Sequence, residues 1–156
     1  EFDVLLVDTG AGIGRNTMFF NAAAQNVLLV VTPEPTSITD AYATIKVLSQ
    51  NHGVKSIRLI MNQVIDRKAA LKVYGYLTNV ADQFLDVSIE YLGHVERDPN
   101  VNHAVMRRKL LVEMAPESPA SQCVGQLVDD LVASAEECAP TGNMQFFWQR
   151  LLKTGS

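Results

Sequence analysis

Short, mainly apolar runs recur at residues 4–7, 27–31, 57–61 and 89–92, and between them lie longer segments with helical spacing. Only Arg58 and Glu90 interrupt the third and fourth runs. Runs this short and this apolar read as parallel strands that are largely covered by other elements. Strands alternating with helices build βαβ units, so the expected fold class is α/β: a parallel sheet with helices on both faces, in three layers.

The helices carry their own start and stop signals. Ser37 with Asp40 three residues on forms a capping-box-like pair, and Ile38, Ala41, Ile45 and Leu48 then make one apolar stripe that Gly53 ends. Asp98 before Pro99, and Ser118 before Pro119, each set a capping side chain ahead of a proline suited to the first helical position. The second of these helices is expected to bury Val124, Leu127, Val128, Leu131 and Ala135. Arg67 and Lys68 follow Asp66 as a solvated helix start, and Tyr74 and Tyr76 flank Gly75 in a segment that packs on the sheet. Residues 139–143 contain a proline and a glycine and read as a linker, which bounds a domain of residues 1–138 and leaves a short terminal helix over 144–153.

At 156 residues the chain is long enough to bury a core without disulfides or metals. Its apolar runs are strand-sized, so no membrane span is expected. A net charge of −4 lacks the surplus of Lys and Arg that phosphate neutralisation demands, so direct nucleic-acid binding is not expected. Cys123 and Cys138 have no CxxC spacing and read as reduced structural thiols, which suits a cytoplasmic protein. His52, His94 and His103 lack metal-ligand spacing and read as solvated or helix-end residues. The chain opens without Met, within a few residues of an apolar strand, so the expectation is a fragment whose N-terminal part is missing.

The chemistry concentrates where the first apolar run ends, at Asp8-Thr9-Gly10-Ala11-Gly12-Ile13-Gly14. Ligands of open α/β sheets sit beyond the carboxyl ends of the strands. An acid there can serve the shell of a phosphate-bound Mg²⁺, and glycines let backbone N–H groups approach phosphate oxygens. The alternative is an acid that merely closes a strand-end turn. The same string matches an aspartic-protease signature, in which two aspartates share a proton. That reading needs an almost wholly β fold and a second Asp-Thr-Gly, and the helical periodicity and the single motif both contradict it.

Read together and in order, the motifs resemble the MinD/ParA family of P-loop ATPases, and within it the flagellar-number regulators called FleN or FlhG. Phe2-Asp3-Val4-Leu5-Leu6-Val7-Asp8-Thr9-Gly10-Ala11-Gly12-Ile13 looks like the family's Walker B and switch II segment. Val27 to Tyr42, through Thr32-Pro33-Glu34-Pro35, resembles its strand, Pro-Glu loop and following helix, and Ile45-Lys46-Val47-Leu48 is similar to the flagellar subgroup. Met61-Asn62-Gln63-Val64 and Tyr91-Leu92-Gly93-His94-Val95-Glu96-Arg97-Asp98 match the family's base-binding strand end and the loop that closes over the base. Asn102 to Arg108 and Pro116 to Ser121 match the last helices, so the likeness runs from Phe2 to about Leu131.

The resemblance implies a parallel-sheet P-loop NTPase fold and the cofactors ATP and Mg²⁺. Asp8 becomes the Walker B acid in the Mg²⁺ shell, held through water, and Gly10 and Gly12 become switch II donors near the γ-phosphate. Asn62 becomes an adenine ligand, an amide offering one donor and one acceptor side by side; its other reading is a turn-forming strand-end Asn. Pro33, Glu34 and Glu96 would line the base or ribose pocket. Two departures stand out. Gln63 replaces an Arg common in the family, which removes a cation that could pack on adenine. No GxxxxGK[ST] string occurs, so the chain as given is expected not to hydrolyse ATP although its full-length parent does.

In the tail, Phe146, Phe147, Trp148, Leu151 and Leu152 cluster with Arg150 and Lys153. As a helix it would carry a greasy face with cations reaching toward anionic headgroups, like the family's membrane-targeting helix; the alternative is a helix docked on its own domain. By resemblance the parent is an ATP-bound homodimer, cytoplasmic and peripherally attached to the inner membrane. Its implied partners are an FlhF-like GTPase, basal-body switch components and a flagellar transcription activator. The competing readings are a non-catalytic interaction module and a ParA-like partitioning protein.

Overall fold

The computed structural model describes residues 4–137, so the linker at 139–143 and the tail at 144–153 lie outside the described residues. The chain runs through α1 (Arg15–Ala23), β1 (Leu28–Val31), α2 (Pro35–His52), β2 (Ser56–Val64), α3 (Arg67–Phe84), β3 (Ser88–Glu96), α4 (Pro99–Arg107), α5 (Leu111–Met114) and α6 (Pro119–Glu137). The three strands form one parallel sheet in the order β1-β2-β3. This is the α/β alternation that the apolar runs imply.

Each helix starts and stops for a local reason. Gly53 ends α2 in the left-handed region at φ 67°, where a Cβ would be strained, and its region's carbonyls are closed by a bond from the cap to Leu48. Asp66 caps α3 by accepting from Ala69 N at 2.7 Å, and Asp98 caps α4 by accepting from Asn100 N at 2.8 Å. Ser37 departs from expectation. The helix begins earlier, at Pro35, because the proline's fixed φ suits the first helical position. Ser37 then lies in the first turn, where its Oγ accepts from Thr32 N at 3.0 Å and ties the helix back to the end of β1.

The core lies on one face of the sheet. Ile57, Leu59 and Met61 alternate along β2 and are fully buried, and they pack with Val31, with Ala41, Ile45 and Leu48 of α2, and with Ala70 and Leu77 of α3. Tyr74 joins them through its ring against Tyr91, 5.4 Å between centroids, and its hydroxyl donates to Ile89 O at 2.9 Å. Tyr76, expected to pack as well, is 63% exposed because it falls on the opposite side of the helix.

On the other face α6 lies against β3. A Cβ on Gly93 would sit 2.7 Å from Leu127 Cδ2, so this glycine sets the depth of the contact. Arg58 donates to Ser134 Oγ at 2.7 Å and to Glu90, its register partner on β3, at 2.9 Å. The buried stripe of α6 is Ala120, Cys123 and Leu127, with Val124 and Leu131 half-buried; Val128, expected inside, is 51% exposed because it is rotated one position past the contact line. The β1 end of this face is open among the described residues, and Val30 is 56% exposed.

Residues 4–7 correct the sequence reading. They are not in the sheet, and Val4, Leu5, Leu6 and Val7 are between 43% and 78% exposed. A strand exists by virtue of its ladder and its cross-strand neighbours. Among the described residues β1 pairs only with β2, and no strand pairs with residues 4–7.

Candidate functional site at the carboxyl edge of the sheet

Parallel strands end at one edge, and the loops there carry most of the residues that sequence marks as functional. In register, Val31, Met61 and His94 are partners across the sheet, followed by Asn62 opposite Val95 and Val64 opposite Glu96. Pro33 and Glu34 leave β1 just beyond this line, and Glu34 stands at the start of α2 without a side-chain cap bond. Both are exposed, whereas Asn62 and Glu96 are half-buried. The fold therefore brings Pro33, Glu34, Asn62 and Glu96 to one edge.

Asn62 sits at an irregularity, because the register with β3 shifts between Asn62 and Val64. Its Oδ1 accepts from Gln63 N at 2.9 Å, and Gln63 takes a left-handed backbone, φ 57°. The side chain thus closes the strand-end turn, which leaves its Nδ2 and one Oδ1 lone pair for a ligand. Glu96 borders a pocket of about 250 Å³ with Arg67, His94, Pro119, Gln122, Cys123 and Gln126. His94 corrects the expectation of a solvated residue. Its side chain is 14% exposed, its Nδ1 lies 3.1 Å from the Tyr91 hydroxyl, and its Nε2 lies 3.8 Å from Glu96. Burial pushes the Tyr91 hydroxyl pKa up.

Asp8, Gly10 and Gly12 occupy a loop that is not paired with the sheet. Gly12 has φ 94°, a conformation that needs glycine. The loop runs directly into α1, capped by Gly14, and the Thr17 hydroxyl donates back to Gly10 O at 3.4 Å. The far end of α1 meets the amino edge of the sheet, where Ala22, Ala24 and Val27 share a pocket with Gly53 and Lys55. The glycine loop and the N-terminus of α1 lie at the opposite end of the helix from that amino-edge pocket, and free N–H groups at such a terminus favour anions. Asp8 is exposed and makes no ion pair among the described residues.

Among the described residues there is no cluster of three or more His, Cys, Asp or Glu side chains. No helix among the described residues is long and apolar enough to cross a membrane.

No protein-family profile matches the chain. Whole-sequence similarity does. The chain is 43% identical over 162 aligned positions to "Antiactivator FleN" of Pseudomonas aeruginosa, covering 100% of the chain and 57% of that protein. It is 38% identical over 157 positions to "Flagellum site-determining protein YlxH" of Helicobacter pylori, covering 98% of the chain and 53% of that protein. An uncharacterised ATP-binding protein of Methanocaldococcus jannaschii is 30% identical over 151 positions, 97% of the chain and 54% of the relative. This chain belongs to the MinD/ParA ATPase family, in its FleN/FlhG-type branch. It spans about half the length of the curated relatives it matches.

In this FleN/FlhG-type chain one acid supports the edge from below. Asp98 is 7% exposed and accepts from Asn100 N, from Asn100 Nδ2 at 2.9 Å and from Ala120 N at 3.3 Å, so a single carboxylate caps α4 and holds the start of α6. These bonds, the Asn100 amide first, hold its pKa below the ordinary carboxylate value despite burial. Sequence reasoning identified its cap but not its second helix. It also missed Arg67, Gln122 and Gln126 around Glu96, because nothing in their spacing announces a shared pocket.

Proposed function

We propose that the full-length protein is an ATP-dependent dimerising regulator of flagellar number or placement. The observation that carries this is the similarity to FleN and YlxH along the whole of this chain, supported by the gathering of Pro33, Glu34, Asn62 and Glu96 on one sheet edge. In this reading Asp8 holds Mg²⁺ through water, and the metal supplies charge stabilisation on the phosphates of ATP. Gly10 and Gly12 offer backbone N–H groups to the terminal phosphate. Asn62 holds the base through Nδ2 and its remaining Oδ1 lone pair, with Pro33, Glu34 and Glu96 beside it. Phosphoryl transfer rests on positioning and charge stabilisation, so no side-chain nucleophile is required. Nucleotide bridges two protomers, the tail at 144–153 attaches the dimer to the inner membrane surface through Phe146, Phe147, Trp148, Leu151, Leu152, Arg150 and Lys153, and flagellar proteins are the partners.

The test is ATP turnover and sedimentation of the full-length protein with the Asp8→Ala variant beside it. The expected result is an ATP-dependent dimer whose turnover falls by about two orders of magnitude in the variant, as when a positioned electrostatic group is lost, with an altered flagellar count in cells. A full-length protein that binds no ATP, yet still changes flagellar number, makes it a non-catalytic interaction module instead.

A further inference from the structure

The turn between α4 and α5 carries features that the nucleotide edge does not use. Val105, Met106, Leu110 and Val112 are 69%, 82%, 63% and 44% exposed. Three cations stand consecutively among them, Arg107, Arg108 and Lys109, all exposed and none in an ion pair among the described residues. This is a concentrated positive patch on a chain whose net charge is −4. Val101, 37% exposed, lies one helical turn before Val105, so the apolar residues continue along α4 as a stripe.

The backbone adds a separate observation. Arg108 is the C-cap of α4 and stands at φ 53°, ψ 42°, in the left-handed region. Helices usually place glycine at such a position, since a Cβ costs about 1 kcal/mol there. An arginine held where glycine would be more stable points to a use for its side chain.

We propose that the α4–α5 turn is a docking surface for an acidic amphipathic helix of another protein. Its apolar residues meet Val105, Met106 and Leu110, and its carboxylates pair with Arg107, Arg108 and Lys109. Charge complementarity fixes the sign of the partner, and exposed apolar side chains at helical spacing match a helix laid into place by anchors three and four residues apart. A nucleic-acid backbone offers nothing to Met106 and Leu110. A flat anionic bilayer would also face the exposed Glu113 beside Val112, whereas a single helix can pass it by.

The experiment uses the full-length protein and a fluorescent 18-residue helical peptide with Leu at every third and fourth position and Glu elsewhere. The same peptide with Lys for Glu, an acidic scramble without helical periodicity, a DNA duplex and phosphatidylglycerol vesicles complete the set. The acidic amphipathic peptide is expected to bind at least about 10-fold more tightly than its Lys counterpart and its scramble, a difference of about 1.4 kcal/mol. Met106→Asp and Arg107→Glu are each expected to weaken it about 10-fold. Arg108→Gly separates recognition from folding: it relieves the left-handed backbone, so the melting temperature holds or rises while binding falls several-fold. Tighter binding to vesicles or duplex than to the acidic peptide, equal binding of the scramble, or no response to Arg108→Gly overturns the proposal. So does slow thiol labelling of Met106→Cys in the full-length protein, because the face would then be covered by the chain itself.

Discussion

Asp98 shows how much one side chain can organise. Both of its oxygens are used, Oδ1 toward the start of α4 and Oδ2 toward the start of α6, and its lowered pKa makes that arrangement pH-dependent. A carboxyl whose folded pKa lies below its unfolded value contributes stability above the unfolded pKa and loses it as pH falls through the folded one. The contribution is therefore complete at neutral pH, begins to fall near about pH 4, the unperturbed Asp range, and is lost as pH drops through the lower folded value. Denaturant midpoints at pH 7 and pH 3 are the measurement: the wild type is expected to lose more between them than Asp98→Asn, which starts lower at pH 7. Asp86, also lowered by its hydrogen bond and charge pairing with Lys55, is a control. That pair is exposed, so Asp86→Asn is expected to change the midpoint little. At the same scale, Asn62→Ala removes a base ligand under the proposed function. The full-length variant is expected to bind a fluorescent ATP analogue about 10-fold less tightly, the loss of one or two hydrogen bonds.

Elements show where sequence was legible and where it was not. The runs at 27–31, 57–61 and 89–92 fall in β1, β2 and β3, and the stripe from Ile38 to Leu48 is the buried side of α2, because apolar periodicity is a property of the residues themselves. The strands β2 and β3 continue past those runs to Val64 and Glu96. There polar residues such as Asn62, His94 and Glu96 are held by register with a neighbour, which composition does not record. Residues 4–7 fail in the opposite sense: the pattern is that of a strand, but pairing belongs to two segments at once. The candidate site divides in the same way. Asp8, Gly10, Gly12, Pro33, Glu34, Asn62 and Glu96 were named from motif order, while the pocket of Arg67, His94 and Gln122 arises only when α3 and α6 converge on β3. That convergence depends on Gly93, where Leu127 leaves no room for a Cβ. Gly93→Val is expected to destabilise by about 1–3 kcal/mol through overpacking, read as a lower urea midpoint, and to be partly rescued by Leu127→Ala in the same chain. Absence of rescue would mean that the cost lies in the strand rather than in the α6 contact.

The whole molecule leaves one side of its sheet unfinished among the described residues. β1 has a single ladder partner, Val30 projects into the open half of a face, and Val4, Leu5, Leu6 and Val7 lie exposed nearby in sequence order before α1. An unpaired edge beside apolar side chains is a template for association, and the net charge of −4 gives only modest repulsion against it. A polypeptide of residues 1–156 alone is therefore expected to self-associate at micromolar concentration and to bind a hydrophobic dye. Extending it to the length of its FleN and YlxH relatives should reduce both signals. Paired Leu6→Lys and Val30→Lys substitutions separate the causes, since a charge on the edge strand and on the exposed run blocks pairing without touching the core around Ile45 and Leu59. Light scattering that falls in the double variant assigns the association to this side of the sheet. Scattering that is unchanged assigns it elsewhere, and the α4–α5 turn, with Met106 and Leu110 exposed, is the next surface to charge.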